Sequence, residues 1–212
     1  MKKFLMSAVL FMVMCSYAQA EKIAVQIIYD GSGSMAGTVN SDNGYVKKSE
    51  AAINAGLNLV NQIDAFVKNN ASVEIDIGLI IFNGGAVKQV LPLTKYNRTN
   101  MLKAIRDLPK PHGGTPIGEA MQLAYKTLPT DAKSHIFVLT DGEENGDVKM
   151  ADVIASEKNR SGVYFVAFDV NASTFDDAKN QGAMIVQANS EKELFAKVQT
   201  VFATKILLEK EE

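Results

Sequence analysis

The chain predicts a doubly wound α/β domain: a mostly parallel six-stranded sheet with one antiparallel edge strand and helices on both faces. Strand-like and helix-like segments alternate along the sequence, which is the pattern of that architecture. The strand-like segments are near-continuous runs of Val, Ile and Phe, as expected when both faces of a parallel sheet are covered. The chain has 212 residues, 47% hydrophobic and 22% charged. That is enough to bury one core and has the balance of a globular protein.

Residues 22–30 open the sheet as an almost unbroken apolar run ending in Asp30. Ile53, Leu57, Val60, Ile63 and Val67 then recur at helical spacing. Residues 75–82 form a second buried strand. Residues 87–91 are more polar and meet Pro92, so they predict an edge strand that stops there. Met101, Ile105 and Leu108 mark a short helix, and Ile117, Met121, Ala124 and Leu128 a longer one. Residues 136–140 and 163–168 are further buried strands, separated by a polar surface helix over residues 147–159. Residues 183–188 make a last short strand. Leu194, Val198, Val201 and Phe202 close the chain on a helix. No repeat or low-complexity tract interrupts residues 21–212, which therefore read as one domain.

The first 20 residues read differently. Lys2 and Lys3 precede a short apolar run, and Ala18-Gln19-Ala20 follows it. A basic start, a greasy centre and an A-x-A end describe a secretory signal peptide. The run is too short to span a bilayer comfortably, and no other segment is long enough. The expected location is the periplasm or the exterior of a bacterium. The single cysteine, Cys15, falls within this leader, so the mature chain has neither disulfide nor thiol chemistry. A lipid-attached Cys15 is the alternative, but Met14 stands where such sites usually carry a small residue. The net charge of −2, which becomes more negative without Lys2 and Lys3, excludes a general nucleic-acid binder.

In sheets of this kind ligands bind beyond the carboxyl ends of the strands. Three loops there carry small oxygen donors: Asp30-Gly31-Ser32-Gly33-Ser34, His112-Gly113-Gly114-Thr115-Pro116, and Asp141-Gly142-Glu143-Glu144-Asn145. Alternation in D-x-S-x-S lets one turn aim three side chains at one point, and the glycines let the backbone curl. Two carboxylates and three hydroxyls lack the thiolates and imidazoles that favour zinc. Hard oxygen donors favour Mg²⁺, Mn²⁺ or Ca²⁺. Short ligands on tight loops suit Mg²⁺ or Mn²⁺ better than the larger Ca²⁺.

These motifs resemble a von Willebrand factor type A domain of a bacterial exported kind. D-G-S-G-S-M resembles the D-x-S-x-S element of its metal-ion-dependent adhesion site (MIDAS). G-G-T-P-I-G-E-A resembles the threonine element, and L-T-D-G the second aspartate element. The resemblance covers essentially all of residues 21–212. It implies that Asp30, Ser32 and Ser34 hold the metal, the serines directly. It implies that Thr115 binds directly or through water, and Asp141 through water. One coordination position is then left for an Asp or Glu carboxylate of a partner protein. Few charges around the ion keep it electrophilic, which makes an external carboxylate a good sixth ligand. In some relatives ligand binding moves the C-terminal helix, here residues 191–208.

Each element also has a plain local reading. Thr115-Pro116 is a helix start, with Thr as N-cap and Pro at the first helical position. The two aspartate loops are ordinary turn sequences. Glu143, Glu144 and Asp147 read as a solvated acidic loop. His112 reads as a surface residue, and His135 has no assigned role. Among enzymes, no G-x-S-x-G or Walker A element is present. The rival is a Mg²⁺-dependent phosphohydrolase with Asp30 as nucleophile, although Ser32 stands where such enzymes usually carry a second Asp. The expected function is non-enzymatic: an exported, metal-dependent protein-binding module.

Overall fold

A computed structural model describes residues 21–208. The predicted signal peptide, residues 1–20 with Cys15, lies outside the described residues. In chain order the elements are β1 (Glu21–Asp30), β2 (Thr38–Ser41), β3 (Gly44–Lys47), α1 (Lys48–Asn69), β4 (Val73–Asn83), β5 (Ala86–Lys95) and α2 (Arg98–Arg106). They continue with α3 (Ile117–Thr127), β6 (Lys133–Thr140), α4 (Met150–Ser156), β7 (Gly162–Phe168), α5 (Asp176–Asn180), β8 (Met184–Ala188) and α6 (Glu191–Val201). A π-helical turn, Phe202–Leu207, prolongs α6.

Six strands form one sheet in the order β5-β4-β1-β6-β7-β8, with β2 and β3 paired as a separate hairpin. Every pairing in the large sheet is parallel except β4 with β5. The fold class is the one the apolar runs predict. Their continuity has a direct cause in β1. Ile23, Val25, Ile27 and Tyr29 face a core built with α1, α2 and α6. Ala24 and Ile28 face a second core built with α3, α4 and α5. A strand covered on both faces has no solvent side on which to place polar residues.

The position of β1 decides where a site can form. The chain passes from β1 to β4 on one side and later returns to β6 on the other. Connections therefore leave the carboxyl ends of β1 and β6 in opposite directions, which opens the crevice characteristic of a topological switch point.

Several expectations need correction. β5 does not stop at Pro92 but runs to Lys95. Irregular register on either side of Leu79 gives β5 extra residues there, so Pro92 lies in a bulged stretch between the Leu91 and Thr94 pairings. The surface helix expected over residues 147–159 is only Met150–Ser156. The hairpin of β2 and β3 has no counterpart in the sequence reading; Asn40 bridges it to Ser190 at the start of α6. Among the described residues, no helix is long and apolar enough to cross a membrane.

Candidate metal centre at the switch point

Parallel pairing of β1 with β6 sets Tyr29 opposite Leu139, so Asp30 and Thr140 end neighbouring strands. The Thr140 hydroxyl donates to Asp30 Oδ2 at 2.6 Å, and the Asp141 amide donates to the same oxygen at 3.3 Å. The Ser32 amide donates to Asp30 Oδ1 at 2.7 Å. Asp30 is fully buried. Burial pushes its carboxyl above the ordinary range. The bonds from Ser32 and Thr140 pull it back, and the nearby Asp141 charge adds to the rise.

From Asp30 the polar chain continues outward. Ser32 Oγ and Ser34 Oγ share a hydrogen bond at 2.9 Å, and Ser34 Oγ donates to Asp141 Oδ1 at 2.6 Å. The D-x-S-x-S loop therefore closes onto the loop after β6. Backbone bonds fix its other side: Gly31 N donates to Phe82 O, His112 N to Gly31 O and Gly33 N to Gly113 O, all within 3.0 Å. Two glycines make this stacking possible. A Cβ on Gly31 would lie 2.8 Å from the Phe82 carbonyl oxygen. Gly113 has φ +83°, and a Cβ there would lie 2.5 Å from Gly84 Cα.

Thr115 joins from the loop before α3. Its amide donates to Asn145 Oδ1 at 2.6 Å, and Asn145 N returns a bond to the Thr115 carbonyl at 3.2 Å. A Cβ built on Gly142 would lie 3.4 Å from Thr115 Oγ1 and 3.5 Å from Ser34 Oγ. Hydroxyls from two loops thus flank the glycine of the third. The helix-cap reading of Thr115 is overturned. Pro116, not Thr115, occupies the N-cap position of α3, and no side chain caps the helix from there. The capping comes from across the site: Glu144 Oε1 accepts from Gly118 N at 2.8 Å and from Met150 N at 2.9 Å.

All five residues singled out in the sequence, Asp30, Ser32, Ser34, Thr115 and Asp141, are therefore brought together. The acidic loop behind them is not uniformly solvated. Glu143 and Asp147 are exposed, but Glu144 turns inward and ties α3 to α4. Burial raises its carboxyl above the usual range against the pull of those amide bonds. Glu119 does similar work on the same loop, accepting from Asp147 N at 2.8 Å. His112 is exposed, and His135 is buried beside Tyr164 near the opposite end of β6.

Lys48 is the participant that the sequence reading missed. It opens α1, and its Nζ lies 3.0 Å from Asp141 Oδ2 and 2.8 Å from Asp169 Oδ2. Burial alone would push its ammonium down, but the two carboxylates outweigh that and hold it above the ordinary lysine value. No motif signals this contact, because Lys48 and Asp141 are 93 positions apart.

Among the described residues no cluster of three or more His, Cys, Asp or Glu could hold a metal. A cation site here must combine carboxylates with hydroxyls, and this is the one place where the identified motifs supply both. The residues fit a hard cation on electrostatic grounds too. Asp30 is a carboxylate kept out of water with only neutral hydrogen-bond donors, which is unfavourable unless a positive charge is near.

A family model described as von Willebrand factor type A domain matches residues 25–144, a stretch that contains all five residues. No curated protein sequence matches the chain. Among solved structures the chain is similar to BatB from Bacteroides thetaiotaomicron, with 17% identity, 86% of this chain and 97% of that one covered, and a TM-score of 0.66. It is also similar to the minor pilin PilB from Streptococcus sanguinis, with 15% identity, 87% and 61% covered, and a TM-score of 0.69. A third similar structure is proximal thread matrix protein 1 from the mussel byssus with zinc occupying its MIDAS motif. It is 18% identical, with 85% of this chain and 47% of that chain covered, and a TM-score of 0.66. At these identities the likeness is one of fold.

Proposed function

The chain belongs to the von Willebrand factor type A domain family, and from that membership we propose that it is a metal-dependent protein-binding module, not an enzyme. The observation that carries this reading is the meeting of Asp30, Ser32, Ser34, Thr115 and Asp141 from three loops at the switch point. Hard oxygen donors suit Mg²⁺ or Mn²⁺, with Ca²⁺ less favoured. The zinc in the mussel protein's MIDAS supports a divalent ion without deciding which one.

Ser32, Ser34 and Thr115 would hold the ion by their hydroxyls, with Asp30 and Asp141 acting behind them. A bound ion supplies a Lewis-acidic position for an anionic oxygen, which we assign to an Asp or Glu side chain of a partner protein. The chain's own residues do the remaining work. Asp30 fixes Ser32 by accepting a hydrogen bond from its amide. Asp141 accepts the Ser34 hydroxyl's hydrogen bond, so Ser32 Oγ must donate to Ser34 Oγ, which leaves one lone pair on Ser34 for an ion. Glu119 and Glu144 hold the third loop against α3. Against an aspartyl nucleophile stands the state of Asp30: both its oxygens accept hydrogen bonds and the residue is fully buried. The signal peptide read in residues 1–20 supports a periplasmic or secreted location.

Titration calorimetry tests the reading. The wild type should bind one Mn²⁺ or Mg²⁺, and Asp30→Ala should bind none. Absence of binding by the wild type, or equal binding by the variant, rejects it. Phosphate release from an aryl phosphate, abolished by Asp30→Asn, would instead support the phosphohydrolase.

A further inference from the structure

We propose that Lys48 is a resident counter-cation of the metal site. By occupying one oxygen of Asp141, it weakens the hold on the divalent ion and sharpens that ion's preference for an anionic ligand. This inference rests on the metal-site reading above and adds to it a residue that the D-x-S-x-S, Thr and Asp elements do not include.

The geometry is specific. Asp141 has a wholly buried side chain whose two oxygens serve different partners. Oδ1 accepts from Ser34 Oγ at 2.6 Å, on the side of the serines. Oδ2 faces Lys48 Nζ at 3.0 Å. The lysine side chain is only 12% exposed, so its charge is poorly screened by water. It is anchored at both ends. Its amide donates to Gly37 O at 2.9 Å, on the loop that follows the two serines. Its ammonium is shared with Asp169, 2.8 Å away. Asp169 is itself held in place: it adopts φ +54°, rare for a residue with a side chain, and its amide donates to Ala188 O at 2.7 Å.

The charges decide what this arrangement does. Asp30 and Asp141 alone would neutralise a divalent ion. Lys48 Nζ contacts Asp141 and so offsets the carboxylate that shares the metal site, while Asp169 brings the loaded cluster as a whole to neutrality. A site whose carboxylate is offset in this way releases a cation more easily and attracts an anion more strongly than one without the ammonium. Asp169, which also contacts the ammonium, moderates the effect. The two partners of this ion pair should therefore act on the metal in opposite directions, whereas a merely structural bridge would treat them alike.

The experiment measures Mn²⁺ affinity by calorimetry for wild type, Lys48→Met, Lys48→Arg and Asp169→Asn. Acetate is then added to each Mn²⁺-loaded protein and followed by the loss of water-proton relaxation. Lys48→Met should bind Mn²⁺ about tenfold more tightly and acetate several-fold more weakly. Lys48→Arg should stay near wild type, and Asp169→Asn should bind Mn²⁺ several-fold more weakly. If wild type binds Mn²⁺ and Lys48→Met binds it no more tightly, the counter-cation role is wrong while the metal site stands. If Lys48→Met fails to fold, Asp169→Asn decides: unchanged Mn²⁺ affinity overturns the proposal. If wild type takes up no Mn²⁺, the site reading fails and this inference with it.

Discussion

Asp30 and Asp141 follow adjacent strands and share one site, yet the fold treats them differently. Asp30 is surrounded by neutral donors, two of them backbone amides and one the Thr140 hydroxyl. Asp141 is held by one hydroxyl and one ammonium, from Ser34 and Lys48. The Asp30 half is built into the sheet and has no positive partner of its own. The Asp141 half is assembled from loops and a helix start, and its charge is already partly offset. The first carboxylate creates the need for a cation, and the second adjusts how strongly that need is met.

The largest expected contrast is in metal affinity. Asp30→Ala should abolish measurable Mn²⁺ binding, whereas Asp141→Ala should lower the affinity by about tenfold, within the range for groups acting behind the ligands. Calorimetry on both variants measures it, and equal losses would erase the distinction. Folding should follow the same order. Thr140→Val removes a 2.6 Å bond to a fully buried carboxylate and should cost about 2 kcal/mol. Ser34→Ala removes a bond of equal length, but Ser34 is exposed and water can replace the hydroxyl. Its effect should stay within about 0.5 kcal/mol. Urea midpoints at unchanged slope give both numbers.

The smallest effect concerns pH. The Asp30 carboxyl titrates higher in the fold than in an unfolded chain, where it would sit at about 3.9. Between those two values the native state holds more protons. The stabilisation from this group is therefore complete below the unfolded value and disappears as pH rises through the folded one. In EDTA, wild type should lose stability relative to Asp30→Asn across that window, and saturating Mn²⁺, which stabilises only the protein that binds it, should reverse the difference. Parallel pH profiles in EDTA would show that burial of Asp30 carries no such penalty.

Much of this was legible in the sequence because it depends on local pattern. β1, β4, β6 and β7 are apolar on both faces, so their runs are uninterrupted and easily read. Asp30, Ser32, Ser34, Thr115 and Asp141 lie in short motifs at strand ends and a helix start. What escaped depends on contacts between distant segments. The four-residue strands β2 and β3 lie outside the large sheet and are tied to Ser190 far along the chain. Glu144 sits in a run that looks solvated, but it caps helices whose free amides only the folded chain brings near. Lys48 stands beside Lys47 with nothing to distinguish the two, and only packing turns one of them toward Asp141 and Asp169. Pro92 reads as a stop because sequence does not reveal a bulge that can absorb it.

Anomalous diffraction from a crystal of the Mn²⁺-loaded protein tests the central claim most directly. The account predicts one strong peak within bonding distance of the Ser32 and Ser34 hydroxyls, with Thr115, Asp30 and Asp141 around it. A loaded crystal whose manganese lies elsewhere, with these five side chains touching only one another, would contradict it.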